Sequence, residues 1–307
     1  MSLRRYGRIP VETSNEDKVF FPGIGATKGD VIDYYDRIAD RMLPHLRDRP
    51  LVLQRFPDGI DAKGFYQKQA GGHFPDWITT TRVDLVTTGG TQELVVCDKQ
   101  ATLVYLADQG VIAFHVWLSR TDRIRHPDQL VVDLDPAGDD FESARRAALH
   151  VRNLMEELGL PCFAKLTGSK GVHVLVPLDR SADFERVREF AQGAMQLLEA
   201  RFPDELTTAR RKSARGDRVF LDVDRNAYAQ TAVAPWSLRP LSDAPIAVPV
   251  SWTDLEESRV EADDYDLQNV FRRIAPRSDP WKGHRRRAHS LGRPERALRA
   301  RMDKEID

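Results

Sequence analysis

This chain has little cysteine, no long apolar run and no excess of charge of either sign. Its 307 residues include two cysteines, Cys97 and Cys162, which excludes a disulfide framework and is typical of a reducing compartment. No apolar run approaches the ~20 residues of a membrane helix, and none follows the basic N-terminus as in a signal peptide. The formal net charge of −1 identifies no partner by itself, because charges of one sign can be segregated on the surface. We therefore predict a cytoplasmic protein without a membrane partner.

What is present is ordinary globular chemistry, with 41% hydrophobic and 30% charged residues and enough length for one large domain or two small ones. Residues 1–28 contain several proline and glycine turn signals and are expected to be irregular. Residues 30–46 show the apolar spacing of a helix, with Val31, Tyr34, Tyr35, Ile38 and Met42 on one side. Short strands are predicted at 51–53, 94–97, 103–106 and 112–117.

The pattern becomes regular after residue 130. Strands are predicted at 131–135, 162–166, 172–177 and 219–223, and helices at 141–158 and 184–202. This order of strand, helix, two strands, helix and strand is that of the split ferredoxin-like fold, which RNA-recognition modules share. In its usual strand order the first strand lies between the third and the fourth.

Two carboxylates lie two residues apart in the first of these strands. Asp133 and Asp135 point to the same face, because side chains alternate along a strand. Adjacent carboxylates repel unless a cation lies between them, so the pair is a candidate site for a hard metal. The strand order brings Asp222 beside them, and Asp224 shares its face and is an alternative ligand. The pair alone is weak evidence for a metal, and the alternative is a strand-end turn that carries two solvated aspartates.

A glycine-rich connection follows the second strand, at residues 167–173. Its glycines allow backbone amides to approach an anion closely, and Lys170 adds a positive charge, which favours phosphate binding. A hairpin turn that needs glycine for its backbone geometry is the alternative. Further along, Arg239 stands in a proline-bounded loop that suits a phosphate contact.

Together the motifs at 133–136, at 167–173 and at 220–226 with 234–239 resemble those of the archaeo-eukaryotic primase-polymerase superfamily. The closer similarity is to the polymerase domain of bacterial ligase D and its stand-alone actinobacterial relatives, from about residue 15 to about residue 252. The resemblance implies one α/β primase-polymerase domain over residues 1–307. Its RRM-like catalytic module, residues 131–275, would pack on an N-terminal α/β module, residues 1–130.

The resemblance also implies a two-metal nucleotidyltransferase that takes NTP or dNTP substrates and prefers ribonucleotides. Asp133, Asp135 and Asp222 would hold two Mn²⁺ or Mg²⁺ ions. Lys170, Arg239 and His115 match positions that contact the triphosphate, and Thr167 matches a serine near the sugar 2′-hydroxyl. The full set of residues expected at the nucleotide is His115, Thr167, Ser169, Lys170, Gly171, His173, Arg225 and Arg239.

The N-terminal matches concern DNA. Asn15, Lys18 and Lys28 fall on the family's pocket for the 5′-phosphate at a gap, and Phe65 and Tyr66 on an aromatic pair that stacks on template bases. Without the resemblance they would be surface lysines and core aromatics. The implied substrate is gapped or broken duplex DNA in end-joining repair, at the nucleoid. Because no nucleotidyl-ligase motif is present, a separate ATP-dependent DNA ligase and an end-binding protein are expected partners.

Several positions depart from the ligase D pattern. Gln54 stands where many relatives have a basic residue, Asp224 and Arg225 replace a serine and a glutamine, and Gln230 replaces a lysine. The nucleotide pocket is therefore expected to differ from that of the relatives.

Two other function classes remain open at this stage. One is a metal-dependent nuclease or phosphohydrolase that uses the same carboxylates on water, and the other is a non-catalytic DNA end-binding protein. The basic tail, residues 281–307, is either a helix that contacts phosphates or a solvated segment.

Overall fold

The computed structural model describes residues 1–85, 89–275 and 277–305. Its helices are α1 (Lys28–Leu46), α2 (Gln100–Asp108), α3 (Phe141–Glu157), α4 (Phe184–Arg201), α5 (Trp252–Glu256), α6 (Val270–Ile274) and α7 (Gly292–Glu305). Its strands are β1 (Ser2–Tyr6), β2 (Ile9–Thr13), β3 (Val19–Phe21), β4 (Ala26–Thr27), β5 (Leu51–Arg55), β6 (Phe65–Gln67), β7 (Thr80–Asp84), β8 (Thr91–Val95), β9 (Val111–Trp117), β10 (Gln129–Asp135), β11 (Phe163–Leu166), β12 (Val172–Pro177), β13 (Leu206–Thr207), β14 (Val219–Asp222), β15 (Thr231–Val233) and β16 (Pro249–Val250). Within these described ranges, no helix has both the length and the apolar character needed to span a membrane.

The chain forms two compact units. The first comprises Met1–Asp122, Thr231–Ala247 and Tyr265–Arg273, and the second comprises Arg123–Gln230, Val248–Asp264 and Ile274–Asp307. The chain thus leaves the first unit near residue 122 and re-enters it twice, so that the loop carrying Arg239 belongs to the first unit. The grouping of both parts into one primase-polymerase domain over residues 1–307 stays a prediction.

The first unit contains a four-stranded sheet in the order β15–β9–β5–β6 and the packed helices α1 and α2. Helix α1 begins at a capping box, in which the side chains of Thr27 and Asp30 each accept a hydrogen bond from the other residue's backbone N–H. The predicted apolar stripe of this helix is confirmed, because its members are all buried: Val31, Tyr34, Tyr35, Ile38 and Met42.

Two sequence predictions for this unit were wrong. Residues 1–28 are not irregular but contain two antiparallel hairpins, β1–β2 and β3–β4, whose strands are too short to show a clear alternation. The predicted strand at 103–106 lies inside α2. This helix is buried on nearly all sides, and an apolar run without a polar face has no helical period to detect.

The second unit contains a six-stranded sheet in the order β13–β14–β10–β12–β11–β16. Its four central strands have the predicted ferredoxin-like order, with β10 between β12 and β14, which confirms that prediction. Helices α3 and α4 pack on this sheet. Val132 and Leu134 of β10 are fully buried, and their alternate neighbours Asp133 and Asp135 point to the opposite face. The sheet therefore has one face covered by helices and one that carries carboxylates.

The C-terminal segment is docked on the second unit. Trp281 is buried and its indole Nε1 donates to the backbone oxygen of Ala164, at 2.9 Å. A short 3-10 turn, His284–Arg287, follows, and α7 then packs against α4. The alternative of a solvated tail is therefore wrong for residues 281–305.

Candidate active site

Three carboxylates meet on the sheet face opposite to α3 and α4, where Asp133 is buried and Asp222 is half-buried. In the register of the sheet, Asp133 of β10 lies opposite Asp222 of β14 on one side and opposite His173 of β12 on the other. Ligand atoms of Asp133, Asp135 and Asp222 all lie within 4.8 Å of one another. The antiparallel pairing produces this cluster, because it aligns one position of each strand across the sheet.

The other candidate ligand, Asp224, does not join the cluster. Its carboxylate pairs with Arg210 at 2.5 Å and with Arg188 at 3.5 Å. Only its backbone N–H turns toward the site, where it donates to Asp222 Oδ1 at 2.8 Å. Strand β14 ends at Asp222, so residue 224 no longer follows the alternation on which its candidacy depended.

Cationic side chains surround the cluster. His173 Nε2 lies 3.2 Å from Asp133 Oδ1, and Arg225 Nε lies 3.7 Å from Asp133 and 3.8 Å from Asp222. Lys165 of β11 lies opposite His173 in the pairing of β11 with β12, and it is 2% exposed. These groups partly compensate the negative charge of three clustered carboxylates.

The pKa values of the three carboxyls diverge accordingly. Burial opposes the ionisation of Asp133, but the charge and hydrogen bond of His173, with Arg225 and Lys165, hold its pKa below the usual value. Loss of water, together with the charges of Asp133 and Asp222, raises the pKa of Asp135 to about 6. Loss of water also raises the pKa of Asp222.

This donor set fits a hard divalent cation. All three groups offer carboxylate oxygens, the ligands that Mg²⁺, Mn²⁺ and Ca²⁺ prefer. After the loss of water, the charges of Asp133 and Asp222 also contribute to the raised pKa of Asp135, and a cation bound between the three carboxylates would offset this repulsion.

From the raised pKa of Asp135 we predict how the stability of the folded protein depends on pH. A carboxyl whose pKa rises from 3.8 to about 6 on folding contributes stability below pH 3.8 that is lost as the pH rises through about 6. Asn cannot ionise, so Asp135→Asn in EDTA should raise the Tm at pH 7 more than at pH 4. Thermal denaturation of both proteins at the two pH values measures this. A Tm difference that does not change with pH would contradict the assignment.

The glycine-rich connection between β11 and β12 lies beside the cluster. The backbone N–H of Thr167 donates to the oxygen of Gly171 at 3.1 Å, and Gly168 has a φ of 65°, which favours glycine. A Cβ at position 171 would lie 2.2 Å from the backbone oxygen of Leu134, next to both aspartates. Glycine is therefore required for β12 to start this close to β10.

The side chains of this connection differ in exposure. Thr167 is buried, Ser169 is half-buried and Lys170 is exposed. The ammonium of Lys170 lies 2.6 Å from the exposed carboxylate of Asp139.

The predicted nucleotide contacts His115 and Arg239 belong to the first unit. His115 is half-buried on β9, between Val52 of β5 and Val233 of β15, and its ring lies 5.7 Å from that of Tyr66. Arg239 is half-buried in the loop after β15.

The predicted 5′-phosphate residues are brought together in the first unit. The backbone N–H of Lys18 donates to Asn15 O at 3.0 Å, and that of Lys28 donates to Lys18 O at 2.8 Å. Both ammonium groups already have acidic partners: Lys18 pairs with Asp58 at 2.5 Å, and Lys28 pairs with Asp108 at 2.7 Å. Lys28 is 6% exposed, so it is neither a surface lysine nor open to a ligand in this conformation.

The aromatic pair lies on an edge strand of the same unit. Phe65 and Tyr66 of β6 are 47% and 58% exposed, so neither is a core residue. The guanidinium of Arg55 lies 5.4 Å from the Phe65 ring centroid. Exposed rings on an edge strand are available for stacking.

Sequence reasoning missed two residues that build the site. Lys165 is the one charged residue in the otherwise apolar strand β11, a pattern that could have identified it. Asn226 is fully buried; its side chain accepts from Val131 N at 2.9 Å and donates to Val131 O at 2.7 Å. This clamp holds the turn of Asp224–Asn226, and with it Arg225, next to β10.

Comparison with known proteins agrees with this geometry. Residues 27–281 match the family described as the primase-polymerase domain of LigD. The multifunctional non-homologous end joining DNA repair protein LigD of Mycobacterium tuberculosis is 33% identical over 281 residues, which cover 88% of this chain and 36% of that protein. The bifunctional non-homologous end joining protein LigD of Bacillus subtilis is 31% identical over 267 residues, which cover 86% of this chain and 42% of that protein. The chain thus spans less than half the length of these curated relatives.

A solved structure extends the similarity to the fold. The polymerase domain of Mycobacterium tuberculosis ligase D, solved in complex with DNA, matches with a TM-score of 0.84 and 31% identity. The match covers 91% of this chain and 99% of that one. The chain therefore belongs to the family of LigD primase-polymerase domains.

Proposed function

We propose that this chain is a template-directed polymerase that fills short gaps or ends at DNA breaks and prefers ribonucleotides. The family places it among the nucleotidyltransferases. The observation that carries the proposal is the cluster of Asp133, Asp135 and Asp222, next to a glycine-rich connection that presents Lys170. No observation favours the nuclease or the non-catalytic alternative.

Asp133, Asp135 and Asp222 would hold two divalent cations, Mn²⁺ or Mg²⁺. Bound there, the cations would activate the primer 3′-hydroxyl and neutralise charge on the triphosphate and the leaving pyrophosphate. The chain's part is to hold the carboxylates ionised and in place. His173 does so for Asp133 through their 3.2 Å contact, and the backbone N–H of Asp224 does so for Asp222.

The nucleotide would be held by cationic side chains and hydroxyls. We assign the triphosphate to Lys170, Arg225, Arg239 and His115, with Ser169 and the backbone of Gly171 as further donors. Thr167 would contact the sugar 2′-hydroxyl. The proposed ribonucleotide preference rests on this contact, for which the Thr167 hydroxyl would turn from the backbone oxygen of Gly171, to which it now donates at 3.1 Å.

The DNA would be held without sequence readout. Asn15 and Lys18 are assigned to the 5′-phosphate at the far side of the gap, and Lys28 would join them once its ammonium leaves Asp108. Phe65 and Tyr66 are assigned to the template bases. The related polymerase domain of Mycobacterium tuberculosis ligase D was solved with DNA, which supports a DNA substrate. We propose that a separate ATP-dependent ligase seals the product and that an end-binding protein recruits the chain to breaks at the nucleoid.

The test is primer extension on a 5′-phosphorylated gapped duplex with Mn²⁺, with ribonucleotides and deoxyribonucleotides supplied in separate reactions. We expect incorporation opposite the template base, faster with the ribonucleotide. No incorporation with either class would overturn the proposal. Degradation of the DNA in reactions without nucleotide would favour the nuclease instead.

The proposed phosphate pocket makes a separate prediction. Lys18→Gln should weaken binding to a 5′-phosphorylated gap about tenfold, as expected for the loss of a charge-assisted contact, and leave the unphosphorylated gap unchanged. Asp58→Asn should have the opposite effect, because it removes the carboxylate that now pairs with Lys18. Fluorescence anisotropy with the two duplexes measures both variants. Equal losses on both duplexes would exclude the pocket.

A further inference from the structure

The chain continues past the part that matches the family. The match ends at residue 281, and residues 282–305, the C-terminal extension, follow it. The extension is strongly basic, with Lys282, Arg285, Arg286, Arg287, Arg293, Arg296, Arg299, Arg301 and Lys304 against Glu295, Asp303 and Glu305.

Apolar contacts attach helix α7 of the extension to α4. Leu291 and Leu298 are 1% and 5% exposed. A Cβ on Gly193 of α4 would lie 3.4 Å from Leu298 and 3.6 Å from Met302, so the two helices approach closely at this glycine. The extension is thus a built part of the second unit.

Ion pairs attach the same side of α7. Both carboxylate oxygens of Glu295 lie 2.7 Å from the guanidinium of Arg186. Those of Glu305 lie 2.7 and 2.9 Å from Arg201. The glutamates of α7 are therefore used for docking, which leaves the opposite side of the helix with a single sign of charge over most of its length.

Three arginines occupy that opposite side. Arg293, Arg296 and Arg299 are exposed, and among the residues that the structure describes none of them forms an ion pair with a carboxylate. At about 100° per residue they centre roughly 180° from the docked residues Leu298 and Glu305. The docking thus turns them together toward solvent as one stripe, the arginine stripe.

We propose that the arginine stripe binds the phosphate backbone of duplex DNA, a contact outside the part of the chain that matches the family. The inference rests on the proposed function, in which DNA is the substrate. Arginine forks suit phosphate oxygens, and no carboxylate lies between the three arginines on this side of α7; exposed Asp303 follows one turn after Arg299, at the end of the stripe. Such a row of positive charge suits a regular polyanion that is bound without sequence readout. An acidic protein would need carboxylates at positions that match each of the three arginines, so it is a less suitable ligand for the stripe than DNA.

The position of the stripe indicates which part of the DNA it binds. Helix α7 packs on α4, and α4 lies with α3 on the sheet face opposite to Asp133 and Asp135. The stripe is therefore on the helical side of this unit. It contacts a duplex segment away from the primer terminus, and its role is to hold the enzyme on DNA rather than to act in the chemistry.

The test uses the full chain with Arg293, Arg296 and Arg299 all replaced by Gln, which preserves helix propensity and leaves the docking contacts untouched. The control is the matching triple Lys variant, which keeps the charge. Binding to a blunt duplex of about 30 base pairs, some three helical turns, is followed by fluorescence anisotropy across a range of salt concentrations.

We expect the Gln variant to bind roughly tenfold to a hundredfold more weakly at physiological salt. Its log–log salt slope should fall by about 2.7, at 0.9 per lost phosphate contact, while the Lys variant stays near the wild type. Affinity and slope equal to the wild type in the Gln variant would overturn the proposal. An equal loss in the Lys variant would overturn it too, because charge would then not be the cause.

The outcome is separable from the proposed polymerase activity. Incorporation at saturating gapped DNA should be unchanged in the Gln variant, because these arginines lie on the helical side. A reduced salt slope in a protein whose wild type incorporates nothing would support the stripe and refute the polymerase. If the wild type incorporates nucleotides and the Gln variant has an unchanged salt slope, the polymerase is supported and the arginine stripe is refuted.

Discussion

Replacing Asp133 and Asp135 together by Asn should abolish Mn²⁺ binding and lower nucleotide incorporation at least about a thousandfold, with the fold retained. The expected loss of rate is this large because metal ions stabilise the charge of such transition states by several kcal/mol, and about 1.4 kcal/mol corresponds to a tenfold change in rate. Binding is measured by the loss of the free Mn²⁺ electron paramagnetic resonance signal. Incorporation is measured in single turnover on gapped DNA.

The matched control is Asp217→Asn, an exposed carboxylate of the same unit outside the cluster, which should behave as the wild type. Circular dichroism confirms that the double variant is folded. Wild-type Mn²⁺ affinity in the folded double variant would show that the cluster is not a metal site.

Gly171→Ala should have the second largest effect. The new Cβ would meet the backbone oxygen of Leu134 at 2.2 Å, and a backbone atom cannot turn aside as a side chain can. Strands β10 and β12 must then separate where Asp133 and Asp135 lie. We expect a loss of roughly 3 kcal/mol of stability, the upper end for overpacking. Displacement of the carboxylates by even ~1 Å should also lower incorporation about a hundredfold.

Thermal denaturation and the single-turnover assay measure these two effects. Gly292→Ala is the control, because a Cβ there has only the flexible end of Arg296 nearby, at 3.9 Å, and alanine favours the helix that begins there. If Gly171→Ala matched Gly292→Ala in both measurements, the close approach of the two strands would not be required.

The face of the sheet that carries the carboxylates was predictable because it depends on regular strands. Alternation placed Asp133 and Asp135 on one face, and the ferredoxin-like order placed Asp222 and His173 on either side of them, as the structure confirms. The predicted family is confirmed as well. Local periodicity and a common topology were sufficient for both.

What failed depends on tertiary context. Helix α2 has no polar face and so resembles a strand in sequence. Burial of Lys28 against Asp108 joins positions 80 residues apart, which no local pattern records. The alternation that made Asp224 a candidate ligand stops with β14 at Asp222, and strand ends are poorly marked in a sequence.

Asp222 and Asp224 offer the most direct test of the central claim, that this cluster of carboxylates carries nucleotidyl transfer. The two residues are only two positions apart in sequence, but Asp222 lies in the cluster, whereas Asp224 pairs with Arg210 and Arg188. Single-turnover incorporation into a 5′-phosphorylated gap with Mn²⁺ should fall at least about a thousandfold in Asp222→Asn and less than about tenfold in Asp224→Asn. Equal activity in the two variants, or a greater loss in Asp224→Asn, would contradict the account.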